Sequence, residues 1–243
     1  MPDFTLSLAG VPIRVEALFE STARFCRDYL TSRTPELRVV ITRDDLAYER
    51  DKAARDSALR RRRSDAGLET LAVYRKIAAA LLERDILLVH GSAVACEGRA
   101  CLFTAPSGTG KTTHSRLWLS QIPGSHVLNG DKPLLRVEKD RVLACGTPWQ
   151  GKEGFGLNEI LPLSAVCLLE RDSVNRIEAV SLHDALPALI AQTNLPDEPQ
   201  ALRRTLELIG RIGGLTRLYR LGCNMEPEAA RVSFHALYRG ETP

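Results

Sequence analysis

The sequence predicts an α/β protein: a mixed β-sheet with flanking helices, preceded by a small α+β region. Three observations lead to this fold class. After residue 85, apolar runs of strand length alternate with segments of helical periodicity. A strand-like run over residues 99–104 leads through a glycine-rich loop directly into a helical segment at about 111–121. Before residue 85, a hairpin pattern is followed by helices. We therefore predict an α+β N-terminal region over residues 1–85 and a larger domain over residues 86–243.

The composition is that of an ordinary globular protein. Of 243 residues, 44% are hydrophobic and 26% are charged, and the formal net charge is +3. These values exclude a disordered or fibrous chain, and the balanced charge argues against a dedicated nucleic-acid binder. No apolar run reaches the roughly 18–20 residues that span a bilayer, and no signal-peptide pattern opens the chain. Six cysteines stand singly, so we expect a cytoplasmic protein with buried free thiols.

Local patterns define the elements of the N-terminal region. Alternation of apolar and polar residues on both sides of Gly10 predicts a β-hairpin over residues 4–16, and the β-branched run 37–41 predicts a third strand. Thr42 and Asp45 form a T-x-x-D sequence that resembles a capping box and predicts the start of a helix.

Two further helical features follow. The first helix runs into four consecutive arginines, residues 60–63, which we interpret as a solvated surface in preference to a phosphate or nucleic-acid patch. An apolar stripe between Leu68 and Leu82 predicts a second helix packed on a core.

The larger domain begins with two strand-like runs, 86–96 and 99–104, which a Glu97-Gly98 turn joins into a hairpin. Beyond the helix at 111–121, the pattern predicts a strand near 127–128, a hairpin across 134–136 and 142–144, and a glycine-rich loop at 146–156. The last third of the chain is predicted to contain a strand at 165–169, helices near 184–192 and 200–212, a strand at 217–221 and a helix from Pro227.

The loop from Ala105 to Thr112 is the strongest functional signal. It matches the Walker A pattern G-x-x-x-x-G-K-S/T, except that Ala105 replaces the first glycine. Glycines let backbone N–H groups turn inward around an anion, and the N-terminus of the next helix adds positive potential. In such loops the lysine neutralises phosphates and the threonine binds magnesium. We therefore expect ATP and Mg²⁺ as cofactors, with Lys111 acting in catalysis, Thr112 as a metal ligand, and a nucleotide-binding loop of Ser107, Gly108, Thr109, Gly110, Lys111, Thr112 and Thr113.

Asp131 is the second candidate site residue. It follows the apolar strand at 127–128, nineteen residues after Thr112. A carboxylate at a strand end could bind the metal or take the proton of an acceptor hydroxyl. The segment Asn-Gly-Asp-Lys-Pro is equally typical of a turn, and both interpretations remain open.

The glycine-rich loop 146–156 is the third candidate. It could act as a mobile clamp, in which Lys152 offsets charge on the transferring phosphoryl group and Glu153 binds metal. A solvated turn is the alternative. His114 and Arg116, one turn past the phosphate loop, are interpreted as surface residues of the helix.

The segments His90-Gly91-Ser92, Ser107–Thr112 and Gly130-Asp131-Lys132 resemble, in this order, the catalytic domain of the bacterial HPr kinase/phosphorylase. The phosphate loop is also similar to that of phosphoenolpyruvate carboxykinase, and the chain looks like the small HPr-kinase-related proteins of bacterial genomes. The resemblance covers roughly residues 86–240. It implies a phosphate-loop core of the kind found in the HPr kinase C-terminal domain and in the carboxykinase.

The resemblance also implies roles for single residues. Asp131 matches the family's general base, and His90 matches a histidine near the triphosphate; without the resemblance, His90 would be a satisfied core histidine. Lys132 replaces the family's second aspartate, which puts the reverse phosphorylase reaction in doubt. The family's N-terminal domain and HPr-docking signature are not recognisable, so HPr is a doubtful substrate.

The function expected from the sequence is that of an ATP-dependent kinase that transfers the γ-phosphoryl group to a hydroxyl. The expected acceptor is a serine of a peptide or protein, with a small-molecule hydroxyl as a further option, and no nucleic-acid or membrane partner is expected. Two alternatives remain: a nucleotide-dependent regulatory module for a peptide-modifying partner, and a carboxykinase-like enzyme. The sequence does not decide between ATP and GTP, and it is compatible with a homo-oligomer.

Overall fold

A computed structural model of the protein describes residues 2–55 and 63–240. The chain forms two compact units, Met1–Arg84 and Asp85–Pro243. Residues 60–62 of the arginine run lie outside the described residues, and Arg63 is exposed.

The first unit combines a small sheet with helices. Its elements are β1 (Asp3–Leu8), β2 (Val11–Glu16), α1 (Glu20–Phe25), a 3-10 turn (Arg27–Tyr29), β3 (Leu37–Val40), α2 (Arg43–Arg55) and α3 (Asp65–Leu82). β2 pairs antiparallel with β1 and parallel with β3. The predicted hairpin and third strand are therefore confirmed.

The capping box at the start of α2 is also confirmed. The Thr42 N–H donates to the Asp45 carboxylate at 2.9 Å, and the Asp45 N–H donates to the Thr42 hydroxyl at 3.4 Å. The same carboxylate accepts hydrogen bonds from Lys76 Nζ at 2.6 Å and from Arg75 at 3.1 Å, both on α3. Burial alone would raise the pKa of Asp45, but the hydrogen bonds from Lys76 and Thr42 outweigh burial and lower it to about 2.

The second unit is built on a nine-stranded mixed sheet with flanking helices, in agreement with the predicted fold class. Its elements are β4 (Ile86–Leu88), β5 (Ser92–Cys96), β6 (Arg99–Thr104), α4 (Lys111–Gln121), β7 (His126–Asn129), β8 (Leu134–Val137), β9 (Val142–Cys145), β10 (Ile160–Arg171), β11 (Arg176–Ala179), α5 (Leu182–Ala191), α6 (Pro199–Leu215), β12 (Arg217–Cys223), α7 (Glu228–Phe234) and a π-helical turn (His235–Arg239). β11 is absent from the prediction, because four residues with one buried side chain give no alternation to detect.

The long strand β10 is the centre of this sheet. It pairs parallel with β6 and with β12, and its first residues pair antiparallel with β9. Alternate side chains of the parallel strands enter two cores. Phe103 and Cys167 pack with Trp118 of α4 in one core. On the opposite face, Leu102 and Val166 line a small apolar cavity together with residues of α5 and α6.

One predicted strand, residues 86–96, is wrong. β4 ends at Leu88 and pairs with β8, whereas β5 begins at Ser92 and pairs with β6 and β7. Between them the chain leaves the sheet ladder: the His90 N–H donates to the Gln192 carbonyl at 2.8 Å, and the Gly91 N–H donates to the Asp131 carbonyl at 2.9 Å. A Cβ at Gly91 would lie 2.6 Å from a Leu102 methyl carbon and 3.0 Å from the Phe103 carbonyl oxygen, so any other residue here would displace the buried Leu102 side chain.

Two findings concern the whole of the described chain. No helix within residues 2–55 and 63–240 combines the length and apolarity needed to cross a membrane. All six cysteines are free and buried, and burial raises the pKa of Cys26, Cys101 and Cys145 to about 12.

Candidate functional site

The glycine-rich loop connects the end of β6 to the start of α4. Gly108 and Gly110 have φ angles of 81° and 130°, values in the region that favours glycine, and a Cβ at either position would meet no other atom within 4 Å. Glycine is therefore needed here for backbone conformation and not for space. Gly110 is the N-cap of α4 and offers no side-chain cap, so the first N–H groups of the helix keep their capacity to bind an anion.

Lys111 lies over this loop with only 8% of its surface exposed. Its Nζ donates to the Ala105 carbonyl at 2.7 Å and to the Pro106 carbonyl at 3.3 Å. Burial lowers the pKa of Lys111, and the negative charge of Asp131 opposes this shift. The ammonium group therefore lies at the loop and within electrostatic range of Asp131.

The inner face of α4 fixes this helix start to the sheet. The Ser115 hydroxyl donates to the Lys111 carbonyl at 3.0 Å and lies 2.7 Å from the hydroxyl of Ser92 on β5. Lys111 is the first residue of α4. These bonds therefore hold the backbone of Lys111 in place, while the Lys111 side chain extends toward the loop.

The interpretation of His114 as a surface residue is wrong. His114 is buried, its Nε2 lies 3.1 Å from the Ser233 hydroxyl, and the Trp118 indole N–H donates to it at 3.2 Å. Burial lowers the pKa of His114 to about 4. His114 and Trp118 are one helical turn apart, and both rings pack edge-on against Phe103 in the core. Arg116, in contrast, is exposed as expected.

Asn129, the last residue of β7, sets the position of Asp131. Its side-chain oxygen accepts the N–H groups of Asp131 at 3.0 Å and Lys132 at 2.7 Å. Its amide nitrogen donates to the carbonyl and the hydroxyl of Thr147, each at 3.0 Å. The Asn-Gly-Asp-Lys segment is thus a side-chain-stabilised turn, and this turn directs the backbone of Asp131 away from the strand.

Three of the predicted site residues lie together here. The Asp131 carboxylate is 3.5 Å from His90 Nε2 and 3.9 Å from Lys132 Nζ. His90 and Asp131 are both within electrostatic range of Lys111. The three elements that meet are therefore the break between β4 and β5, the start of α4 and the end of β7.

Gln192, just after α5, orients the His90 ring. The Gln192 side-chain oxygen lies 2.8 Å from His90 Nδ1. This contact fixes the orientation of the ring and leaves Nε2 facing the Asp131 carboxylate. Burial, aided by the charge of Lys111, lowers the pKa of His90 and favours its neutral form. Sequence reasoning missed Gln192, because it lies 102 residues from His90 and belongs to no motif.

The glycine-rich loop 146–156 is fixed to the free edge of β7. The Gly130 N–H donates to the Phe155 carbonyl at 2.9 Å, and the Leu157 N–H donates to the Leu128 carbonyl at 3.0 Å. The loop also approaches the cluster at Gly151, where a Cβ would lie 3.1 Å from the Cβ of Asp131. The C-terminal end of the loop is therefore bonded to β7, and its middle passes close to Asp131.

The two charged residues of this loop are at its exposed turn. Glu153 forms an ion pair with Arg116 of α4. Lys152 makes no hydrogen bond or ion pair with any residue that the structure describes. The structure thus places neither Lys152 nor Glu153 in contact with His90, Lys111 or Asp131 within the described ranges.

Comparisons with known proteins show a distant similarity to solved structures. No family model matches the sequence, and no relative is found among curated proteins. Among solved structures, the chain is similar to the HPr(Ser) kinase/phosphatase from Coxiella burnetii, with 10% identity over 63% of this chain and 94% of that chain and a TM-score of 0.34. This similarity does not establish a common family or activity, and the resemblance drawn from the motifs stays a prediction.

Proposed function

We propose that this protein is an ATP-dependent kinase that transfers the γ-phosphoryl group of ATP to a hydroxyl, with a serine of a peptide or protein as acceptor. The observation that carries the proposal is the position of Asp131 next to the start of the phosphate loop: its carboxylate lies 3.5 Å from His90 Nε2, and the His90 carbonyl accepts a hydrogen bond at 2.7 Å from Thr104, the last residue of β6. A nucleotide-binding module needs only the loop, whereas a kinase also needs a base within reach of the transferred group.

The loop has the properties that a triphosphate requires. Gly108 and Gly110 adopt positive φ angles, the uncapped start of α4 presents N–H groups, and Lys111 supplies a cation at the same place. In the proposed complex, Lys111 exchanges the carbonyls of Ala105 and Pro106 for phosphate oxygens. Ser107, Thr109 and Thr113 lie on the same strand–loop–helix segment and complete the nucleotide-binding loop.

The donor set fits magnesium. Within the described ranges, no three residues of the types His, Cys, Asp and Glu cluster as ligands of one ion. Mg²⁺ suits this situation, because proteins bind it through one or two side chains while phosphates and water complete the octahedron. Thr112 and Asp131 would hold the ion, which when bound would neutralise charge on the phosphates.

The proposed reaction uses the charges already present in the cluster. The acceptor hydroxyl lies against Asp131, which takes its proton as the oxygen attacks the γ-phosphorus. The new P–O bond forms as the bond to the leaving ADP oxygen breaks, and Lys111 stabilises the charge of the phosphates. His90 Nε2, 3.5 Å from the Asp131 carboxylate, helps to orient this carboxylate toward the acceptor hydroxyl.

A paired measurement on Asp131→Asn tests this proposal. Asparagine keeps the shape but loses the charge and basicity, so ATP affinity should fall only modestly while transfer or slow hydrolysis falls at least about a hundredfold. Calorimetry with ATP and magnesium, and turnover assays on the same samples, give the two values. Asp140→Asn, a substitution at an exposed turn, is the matched control and should change neither.

Either of two results would contradict the proposal. Wild-type turnover in Asp131→Asn would leave Asp131 as a turn residue and make Glu153 the next candidate base. Nucleotide binding by the wild type without transfer or hydrolysis over a broad set of hydroxyl acceptors would favour a regulatory binding module.

A further inference from the structure

Arg171, the last residue of β10, contacts the phosphate loop directly. Its Nε donates to the Thr109 carbonyl at 3.1 Å, and its Nη2 donates to the Gly108 carbonyl. The parallel register explains the contact: Leu168 of β10 is opposite Thr104 of β6, so both strands end at the same edge of the sheet. Arg171 therefore reaches the loop from the neighbouring strand.

The two acidic residues next to Arg171 in the sequence form ion pairs with other arginines. Glu170 pairs with Arg220 at 3.1 Å, and Asp172 pairs with Arg176 at 3.0 Å. In residues 2–55 and 63–240, no carboxylate lies within ion-pair distance of Arg171. The only polar partners of its guanidinium in this part of the chain are thus the two loop carbonyls.

Holding these carbonyls also fixes the direction of a loop N–H group. In a trans peptide the C=O and N–H bonds point in opposite directions. The peptide between Thr109 and Gly110 has its carbonyl directed at Arg171, so the Gly110 N–H is directed away from Arg171. The N–H of Thr109 is already used, because it donates to the Pro106 carbonyl at 3.3 Å.

We propose that Arg171 is a positioning residue that holds the phosphate loop in its polyphosphate-binding conformation before the nucleotide arrives. The inference rests on the proposed function, since it assumes that the loop binds a polyphosphate. A loop with glycines at two left-handed positions loses much conformational freedom on ordering, and contacts that order it beforehand raise affinity. Arg171 contacts carbonyls and not the reacting groups, so it should act on binding and leave the transfer step unchanged.

The test compares Arg171→Ala, Arg171→Lys and the matched control Arg176→Ala. Arg176 is also exposed and close in sequence, but its partner is Asp172. Calorimetry measures the Kd of each variant for ATP with magnesium and for inorganic triphosphate. Arg171→Ala should raise both Kd values about tenfold while kcat at saturating ATP stays within about threefold of the wild type. Arg171→Lys should recover part of the affinity, and Arg176→Ala should stay within about twofold.

Hydrogen exchange without nucleotide separates loop ordering from a simple loss of positive charge. The amides of residues 108–111 should exchange faster in Arg171→Ala and at the wild-type rate in Arg176→Ala. Unchanged Kd values, or equal losses of affinity in Arg171→Ala and Arg176→Ala, would overturn the role of Arg171. If the wild type binds neither probe, the proposed function itself fails; if it binds both and Arg171→Ala does so equally well, only the positioning inference fails.

Discussion

Replacing Asn129 by alanine should destabilise the second unit and displace Asp131 at the same time. Asn129 is fully buried and makes four hydrogen bonds, which join the end of β7 to the Asp131 segment and to Thr147. Alanine removes the side-chain partner of all four. The N–H groups of Asp131 and Lys132 lose their acceptor, and the Thr147 carbonyl loses a donor.

The magnitude follows from these contacts. Each buried hydrogen bond contributes about 0.5–1.5 kcal/mol, and each polar group left without a partner costs about 1–3 kcal/mol. Water can reach the half-buried Asp131 and Lys132, so their N–H groups recover part of this cost. We expect Asn129→Ala to lower the free energy of unfolding by about 3 kcal/mol. Because the turn no longer directs Asp131, turnover should also fall by at least about tenfold.

Urea denaturation followed by tryptophan fluorescence measures the stability change. Both tryptophans, Trp118 and Trp149, are buried in the second unit, so the signal reports on that unit alone. A double-mutant cycle with Thr147→Val isolates the part carried by the Thr147 hydroxyl, which accepts from Asn129 and donates to the Lys132 carbonyl at 2.8 Å.

The control is Asn194→Ala, at an exposed position, which should change stability by less than about 0.5 kcal/mol. A loss of less than about 1 kcal/mol in Asn129→Ala would refute the view that this side chain holds the Asp131 segment, and zero coupling to Thr147→Val would refute the contribution of the Thr147 hydroxyl.

Three further predictions address the loops and the first unit. Lys111→Ala should abolish detectable ATP binding at millimolar nucleotide, because it removes the cation at the loop; calorimetry against the exposed control Lys139→Ala checks this, and wild-type affinity would contradict the loop assignment. Lys152→Ala and Glu153→Ala should leave ATP affinity within about threefold and cut turnover about tenfold, and full activity in both would identify the segment as a plain turn. In the first unit, the pKa of Asp45 is lowered from 3.8 to about 2, which corresponds to about 2 kcal/mol of stability that is present above pH 4 and lost as the pH falls through 2. Thermal unfolding of wild type and Asp45→Asn, followed by circular dichroism from pH 6 to pH 2, should therefore converge at the acid end; a constant difference would show that the pKa of Asp45 is not lowered.

The sequence by itself determined the structural features that depend on residues close together in the chain. The hairpin around Gly10, the capping box at Thr42 and the strand–loop–helix segment around Gly110 each depend on residues within a few positions of one another. Alternation, caps and glycine spacing report such short-range preferences directly. Even there, the sequence missed the break at Gly91, because an uninterrupted apolar run hides a backbone that bonds to Gln192 and Asp131.

The tertiary structure decided which side chains meet. Parallel strands bring their carboxyl ends to one edge, and this places Arg171 on a loop more than 60 residues earlier in the chain. The contact between His90 and Gln192 joins residues 102 positions apart, and the burial of His114 depends on Ser233 and the aromatic core. The two members of each pair are too far apart in the sequence for a local pattern to include both. Their contacts come from the order and register of the strands, which are set when hydrophobic faces distant in sequence are buried against each other.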